Sequence, residues 1–227
     1  MKDEEITGTL EFTKTDFSES KTLPDTLIEI YTDKDELIFA KSTDQDGKVI
    51  IKKMKYGKYY ILEKEAPEGY VLNEEKMYFE IKENGEVVKA TMKDDDIKGI
   101  LDFSKVDISD DSPLPNTLIE VYNAVTNDKI FSGRTNEEGN IVINDLVYGK
   151  YYILEKEAPK GYELNEEKMY FEILENGEVV KATMKDQKII KVPNTEKDDL
   201  KELIISGISL IILGALLIVY GKKKKNK

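Results

Sequence analysis

In the segment GTLEFTKTD (Gly8–Asp16), Leu10, Phe12 and Lys14 share one parity, and Thr9, Glu11, Thr13 and Thr15 share the other. Successive side chains of a strand point to opposite faces, so the pattern predicts a strand with Lys14 on its apolar side. VVKATMKD (Val87–Asp94) reads the same way: Val88, Ala90, Met92 and Asp94 oppose Lys89, Thr91 and Lys93. In GKYYILEKE (Gly57–Glu65), Tyr59, Ile61 and Glu63 oppose Tyr60, Leu62 and Lys64. Both of those faces are apolar, so parity does not tell which way Glu63 points.

These patterns occur twice. GTLEFTKTD returns as GILDFSKVD (Gly99–Asp107), LPDTLIEIY as LPNTLIEVY, and Tyr56–Asp94 as Tyr148–Asp186, which differs only at Glu68/Lys160, Val71/Glu163 and Lys82/Leu174. Each unit has the size of one domain, about 90 residues. The boundary lies in KDDDIKG, and so short a linker predicts a stiff tandem. Within a unit the alternation predicts about seven short strands and no helix. Asn84-Gly85 between two alternating runs predicts a type I′ hairpin, Asp46-Gly47 a similar turn, and Pro67 with Gly69 a type I turn. Short strands with frequent turn signals indicate a β-sandwich.

Lys14 and Asp94 thus have inward parity in the first and last strands, and Lys105 and Asp186 repeat them, with Glu155 in the place of Glu63. Two readings are open. One is a buried ion pair, which contributes little net stability. The other is chemical: a buried amine tends to shed its proton and a buried carboxylic acid to keep one. A neutral amine beside a neutral carboxyl is poised for nucleophilic attack, and a nearby glutamic acid could polarise the carbonyl and shuttle protons. The product is an amide between the first and last strands, with loss of water.

Composition narrows the chemistry further. The chain of 227 residues has no Cys, His or Trp, which removes thiol nucleophiles, Ser-His-Asp triads and the usual zinc sites. Its formal net charge of −12 argues against nucleic acid as a partner. TDQDGK hints at a calcium loop, but it lacks the EF-hand spacing and TNEEGN departs further, so a hydrated turn is expected. No metal, cofactor or turnover enzyme is expected.

LIISGISLIILGALLIVYG (Leu203–Gly221) is long enough for a membrane helix, and the KKKKNK that follows predicts a cytoplasmic tail with the body outside. MKDEEITGTL lacks an apolar leader region, so the export signal is expected to lie upstream.

GTLEFTKTD…LPDTLIEIY…YYILEKEAPEGY…TMKDDDIKG, repeated with YYILEKEAPKGY, resembles the Cna protein B-type (SpaA-like, prealbumin-like) domain of Gram-positive surface proteins and pilins. The resemblance covers nearly all of Gly8–Lys191. It implies an all-β fold of two tandem prealbumin-like sandwiches at 8–97 and 98–191, preceded by an extension (1–7). A linker (192–202), one transmembrane helix (203–221) and a basic tail (222–227) follow. In that family a first-strand lysine bonds spontaneously to an Asn or Asp of the last strand, and the glutamate four residues before the Pro catalyses the step. Carried over, Lys14 is the amine, Glu63 the catalyst and Asp94 the acceptor, with Lys105, Glu155 and Asp186 in the second unit. Asp95 and Asp96 follow Asp94 directly.

Val192-Pro193-Asn194-Thr195 resembles the first four positions of a sortase LPxTG signal, with Val192 in place of Leu and Glu196 in place of Gly. The resemblance implies a sortase and peptidoglycan as partners, and a wall-attached, membrane-anchored stalk at the cell surface. LPDTL and LPNTL each open a predicted strand and are read as decoys. An adhesin module that binds a host or matrix protein is the alternative. Near-identity of the two units favours a spacer.

Overall fold

The structure, a computed structural model, describes residues 5–190. The first unit comprises β1 (Thr7–Asp16), β2 (Leu27–Thr32), β3 (Leu37–Ser42), β4 (Lys48–Lys55), β5 (Gly57–Glu65), β6 (Met77–Ile81) and β7 (Val87–Asp94). The second comprises β8 (Lys98–Asp107), β9 (Leu118–Asn123), β10 (Lys129–Arg134), β11 (Asn140–Val147), β12 (Gly149–Glu157), β13 (Met169–Ile173) and β14 (Val179–Asp186). All elements among the described residues are strands, and no helix there is long and apolar enough to cross a membrane. The apolar span at 203–221, the basic tail and the sorting-signal positions Val192–Glu196 lie outside the described residues.

Each unit is a sandwich of a three-stranded sheet, β4-β1-β7, and a four-stranded sheet, β3-β2-β5-β6; the second repeats this as β11-β8-β14 and β10-β9-β12-β13. β1 pairs antiparallel with β4 and parallel with β7, so the first and last strands of the unit are neighbours. Leu10, Phe12, Val49 and Met92 from one sheet meet Ile28, Ile30, Tyr59, Ile61 and Ile81 from the other. Burial of each such side chain contributes about 1.5–3 kcal/mol, which holds the two sheets face to face.

The doubly apolar pattern of β5 has a local cause. Tyr59 and Ile61 enter the core, while Tyr60 stacks on Tyr31 at 5.0 Å on the outer face, under the Lys76 ammonium 4.0 Å above its ring. Glu63 therefore shares the inward face with Ile61. In β4, parity breaks at a bulge: Lys53 takes a positive φ of 59°, and Met54 turns inward where strict alternation would expose it. Asp145, with φ of 57°, does the same before Leu146.

The turns differ from the sequence expectations. Asn84-Gly85 does not close a hairpin, because β6 and β7 belong to different sheets. Only Gly85 there has a positive φ, whereas a type I′ turn needs one at both central residues. Asp46-Gly47 likewise carries the chain from one sheet to the other. Tyr70 N–H donates to Pro67 O, and Gly69 at the third position has a φ of 88°, the type II arrangement rather than type I.

Candidate functional site

β1 and β7 run parallel, with Lys14 opposite Met92 and Asp16 opposite Asp94. Paired residues of neighbouring strands share a face, so Lys14 and Asp94 both enter the core from the same sheet. Glu63 reaches them from β5 in the opposing sheet. The Lys14 side chain is fully buried, and Glu63 and Asp94 are each only 2% exposed. The ammonium Nζ donates to Glu63 Oε2 at 2.9 Å and to Asp94 Oδ1. Of the three adjacent aspartates, Asp94 is thus the one that meets the lysine; Asp95 and Asp96 are exposed.

The second sandwich repeats the arrangement. Lys105 Nζ donates to Glu155 Oε2 at 3.0 Å and to Asp186 Oδ1, again without solvent access. All six residues singled out in the sequence are therefore brought together, three in each core.

Sequence reasoning missed a further residue. Asn73 N–H donates to Glu63 Oε2 at 2.9 Å, and its side-chain amide donates to Lys93 O next to Asp94. It ties the loop after the Ala-Pro-Glu-Gly-Tyr turn to both the catalyst candidate and the acceptor strand. Asn165 does the same with Glu155 and Lys185. The only sequence signal was the unbroken repetition of LNEEKMYFEI.

One cation faces two carboxyl groups, and two fully ionised carboxylates would leave net negative charge in a dry core. Burial pushes Asp94 up to about 7; the Lys14 ammonium opposes the rise and the Glu63 carboxylate adds to it. Asp186 is raised to about 6 by the same causes. Glu63 Oε1, Asp94 Oδ2, Glu155 Oε1 and Asp186 Oδ2 are buried without a hydrogen-bond partner. A carboxyl with one oxygen bonded to an amine and the other unpartnered can hold a proton and present its carbon to that amine. No group of side chains suited to a metal ion occurs among the described residues.

A family model described as a SpaA prealbumin-like fold domain matches residues 8–96 and again 99–188. The Bacillus anthracis TIE protein is 42% identical over 81% of this chain, with a TM-score of 0.73; the chain spans only 35% of that protein's structure. The C-terminal fragment of pilus adhesin SpaC from Lactobacillus rhamnosus GG shares the fold, at 12% identity and a TM-score of 0.56. That match covers 84% of this chain and the whole of the fragment. No curated protein matches the chain.

Proposed function

The chain belongs to the SpaA family of prealbumin-like fold domains, and we propose that it is a stalk segment of a Gram-positive surface protein or pilus. Each sandwich locks itself with an isopeptide bond, Lys14 to Asp94 and Lys105 to Asp186. The observation that carries this reading is the buried lysine held between two carboxyl groups, repeated in both cores with the same partners.

The step balances without a cofactor. Asp94 starts with its proton on, and the Lys14 ammonium passes one proton to Glu63, which leaves a neutral amine, a neutral Asp94 acid and a neutral Glu63 acid. The amine attacks the Asp94 carboxyl carbon, while the Glu63 acid hydrogen-bonds the oxygen that gains negative charge. Collapse of the tetrahedral intermediate expels the Asp94 hydroxyl as water, with Glu63 relaying the proton from nitrogen to that leaving oxygen. One N–H and one C–O bond break; one amide and one water form. The reaction occurs once per sandwich, so the protein is not a turnover enzyme.

Magnitudes favour a bond over an ion pair as the purpose of this cluster. A buried ion pair is close to neutral in net stability. Closing a loop over the 80-residue separation of Lys14 and Asp94 restricts the unfolded chain by about 4–5 kcal/mol. Geometry adds a mechanical effect. Tension entering at Thr7 would run along β1 to Lys14, cross the amide, and leave at Asp94. The intervening chain then carries no load.

In this reading the C-terminal residues supply attachment. Val192-Pro193-Asn194-Thr195-Glu196 is the sortase signal, cut after Thr195 and joined to peptidoglycan, and the apolar span holds the chain at the membrane until then. Peptide mapping of the folded protein tests the core of the proposal. The peptide containing Lys14 is expected joined to the one containing Asp94; recovery of both as separate linear peptides would overturn it.

A further inference from the structure

The contact between the two sandwiches is built from few parts. Ile97 N–H donates to Gly69 O at 2.8 Å, and Ile97 O accepts from Tyr148 N–H at 2.9 Å. Ile97 also packs on the core of the second sandwich. The Tyr148 ring lies over Gly69, where an added Cβ would come within 3.3 Å of its Cδ1. Tyr148 Oη donates to Glu68 Oε1 at 2.5 Å. The junction thus has a turn half (Glu68, Gly69) on the first sandwich and a ring half (Ile97, Tyr148) leading into the second.

Both halves recur at the ends of the tandem. At the front of the first sandwich, Tyr56 N–H donates to Ile6 O at 3.0 Å, as Tyr148 does to Ile97. Here no described residue covers the ring: Tyr56 is 61% exposed and Ile6 39%. At the far end of the second sandwich, Ile189 N–H donates to Gly161 O at 2.8 Å, as Ile97 does to Gly69. Among the described residues nothing lies within 4 Å of a Cβ placed on Gly161, and Lys160 and Glu163 replace Glu68 and Val71. Two of the three differences between the near-identical segments therefore fall on or beside the turn half: Lys160 reverses the charge that Glu68 carries, and Glu163 adds a charge where Val71 has none. The ring half, Ile6 and Tyr56, is kept unchanged.

We propose that Ile6 and Tyr56 form a docking surface for another sandwich of this kind, one carrying a carboxylate-glycine turn like Glu68-Gly69, stacked in front of the first. The end with Lys160 and Gly161 is the closing end of the stack. This surface repeats the ring half of the junction already present between the two sandwiches, whether or not the isopeptide bonds form.

The test extends the full chain by a further copy of residues 7–97 placed directly before Thr7, so that the copy's Ile97 takes the place of Ile6. Nitration by tetranitromethane, followed by peptide mapping, reads the accessibility of each tyrosine. Tyr56 is expected to react severalfold more slowly than in the two-sandwich chain, near the rate of Tyr148. Glu68→Lys in the added copy is expected to restore its reactivity, and Glu68→Gln to restore part of it, with the melting of each sandwich unchanged. Unaltered reactivity of Tyr56 in a folded three-sandwich chain overturns the proposal. So does protection of Tyr56 that grows with concentration in the two-sandwich chain, which would assign the surface to a second copy.

Discussion

Lys14 does not face Asp94 directly across the sheet. It lies opposite Met92, and its ammonium reaches along the parallel strand to the carboxylate beyond. The diagonal places the amine of β1 against the last residue of β7, where the chain leaves the first sandwich. Lys105 and Asp186 stand in the same relation on β8 and β14.

Glu63→Ala is expected to stop bond formation in the first sandwich and leave the second unaffected, so that mass spectrometry finds one bond instead of two. The unlinked sandwich loses the loop restriction of about 4–5 kcal/mol. For a unit of this size that lowers its melting temperature by about 20–30 °C. Calorimetry should then resolve two transitions.

Asp94→Asn keeps an acceptor carbonyl but changes the leaving group. The amine is expected to form the same amide with release of ammonia in place of water, so the linked variant should match the linked wild type in intact mass and lie one ammonia and one water below the sum of its own residues. Asp94→Ala removes the carbonyl and should leave Lys14 unlinked.

Bond formation in freshly refolded chain should depend on pH in a defined direction. Asp94 is raised from 3.8 to about 7, so before the bond forms the folded state holds this proton more tightly than the unfolded chain. Its contribution to stability is complete below 3.8 and is lost as pH rises through about 7. The rate of linkage is expected to fall over the same range, because an ionised Asp94 has no hydroxyl to lose as water. For Asp186 the fall comes near pH 6. Once the bond is made the titrating group is gone, and stability should no longer follow this curve. Refolding at a series of pH values, with the linked fraction read by mass, checks it.

Gly69→Ala and Gly161→Ala separate backbone strain from the contact between sandwiches. Both glycines have φ near 90°, so each substitution costs about 1–2 kcal/mol in its own sandwich. Only at Gly69 does the new Cβ meet Tyr148. Tyr148 should therefore become more reactive to nitration in Gly69→Ala and stay unchanged in Gly161→Ala.

Much of the sandwich was legible because alternation is a direct trace of one buried face. Leu10, Phe12 and Lys14 read inward from parity alone, and all three are buried. The pattern failed where backbone or outer packing intervened. Met54 sits inward through a bulge at Lys53 that alternation does not encode. Tyr60 and Leu62 made both faces of β5 apolar and left its inward face undecided; the ring of Tyr60 is covered on the outer face by Tyr31 and Tyr78. Asn84-Gly85 carries the composition of a hairpin turn yet joins two sheets, because β7 finds its partner in β1, far back in the chain. Asn73 escaped notice since its contact with Glu63 is made by a backbone N–H, which any residue but proline possesses. The contact of Tyr148 with Glu68 joins two units, and a periodicity confined to one unit cannot register it.

The most direct measurement is the intact mass of the unfolded full chain. Two isopeptide bonds predict a molecule lighter than the sum of its residues by two waters, with one water regained in Glu63→Ala and both in the Glu63→Ala, Glu155→Ala double variant. A wild-type mass equal to the full sum would contradict the account, and the buried lysines would then be ion pairs and nothing more.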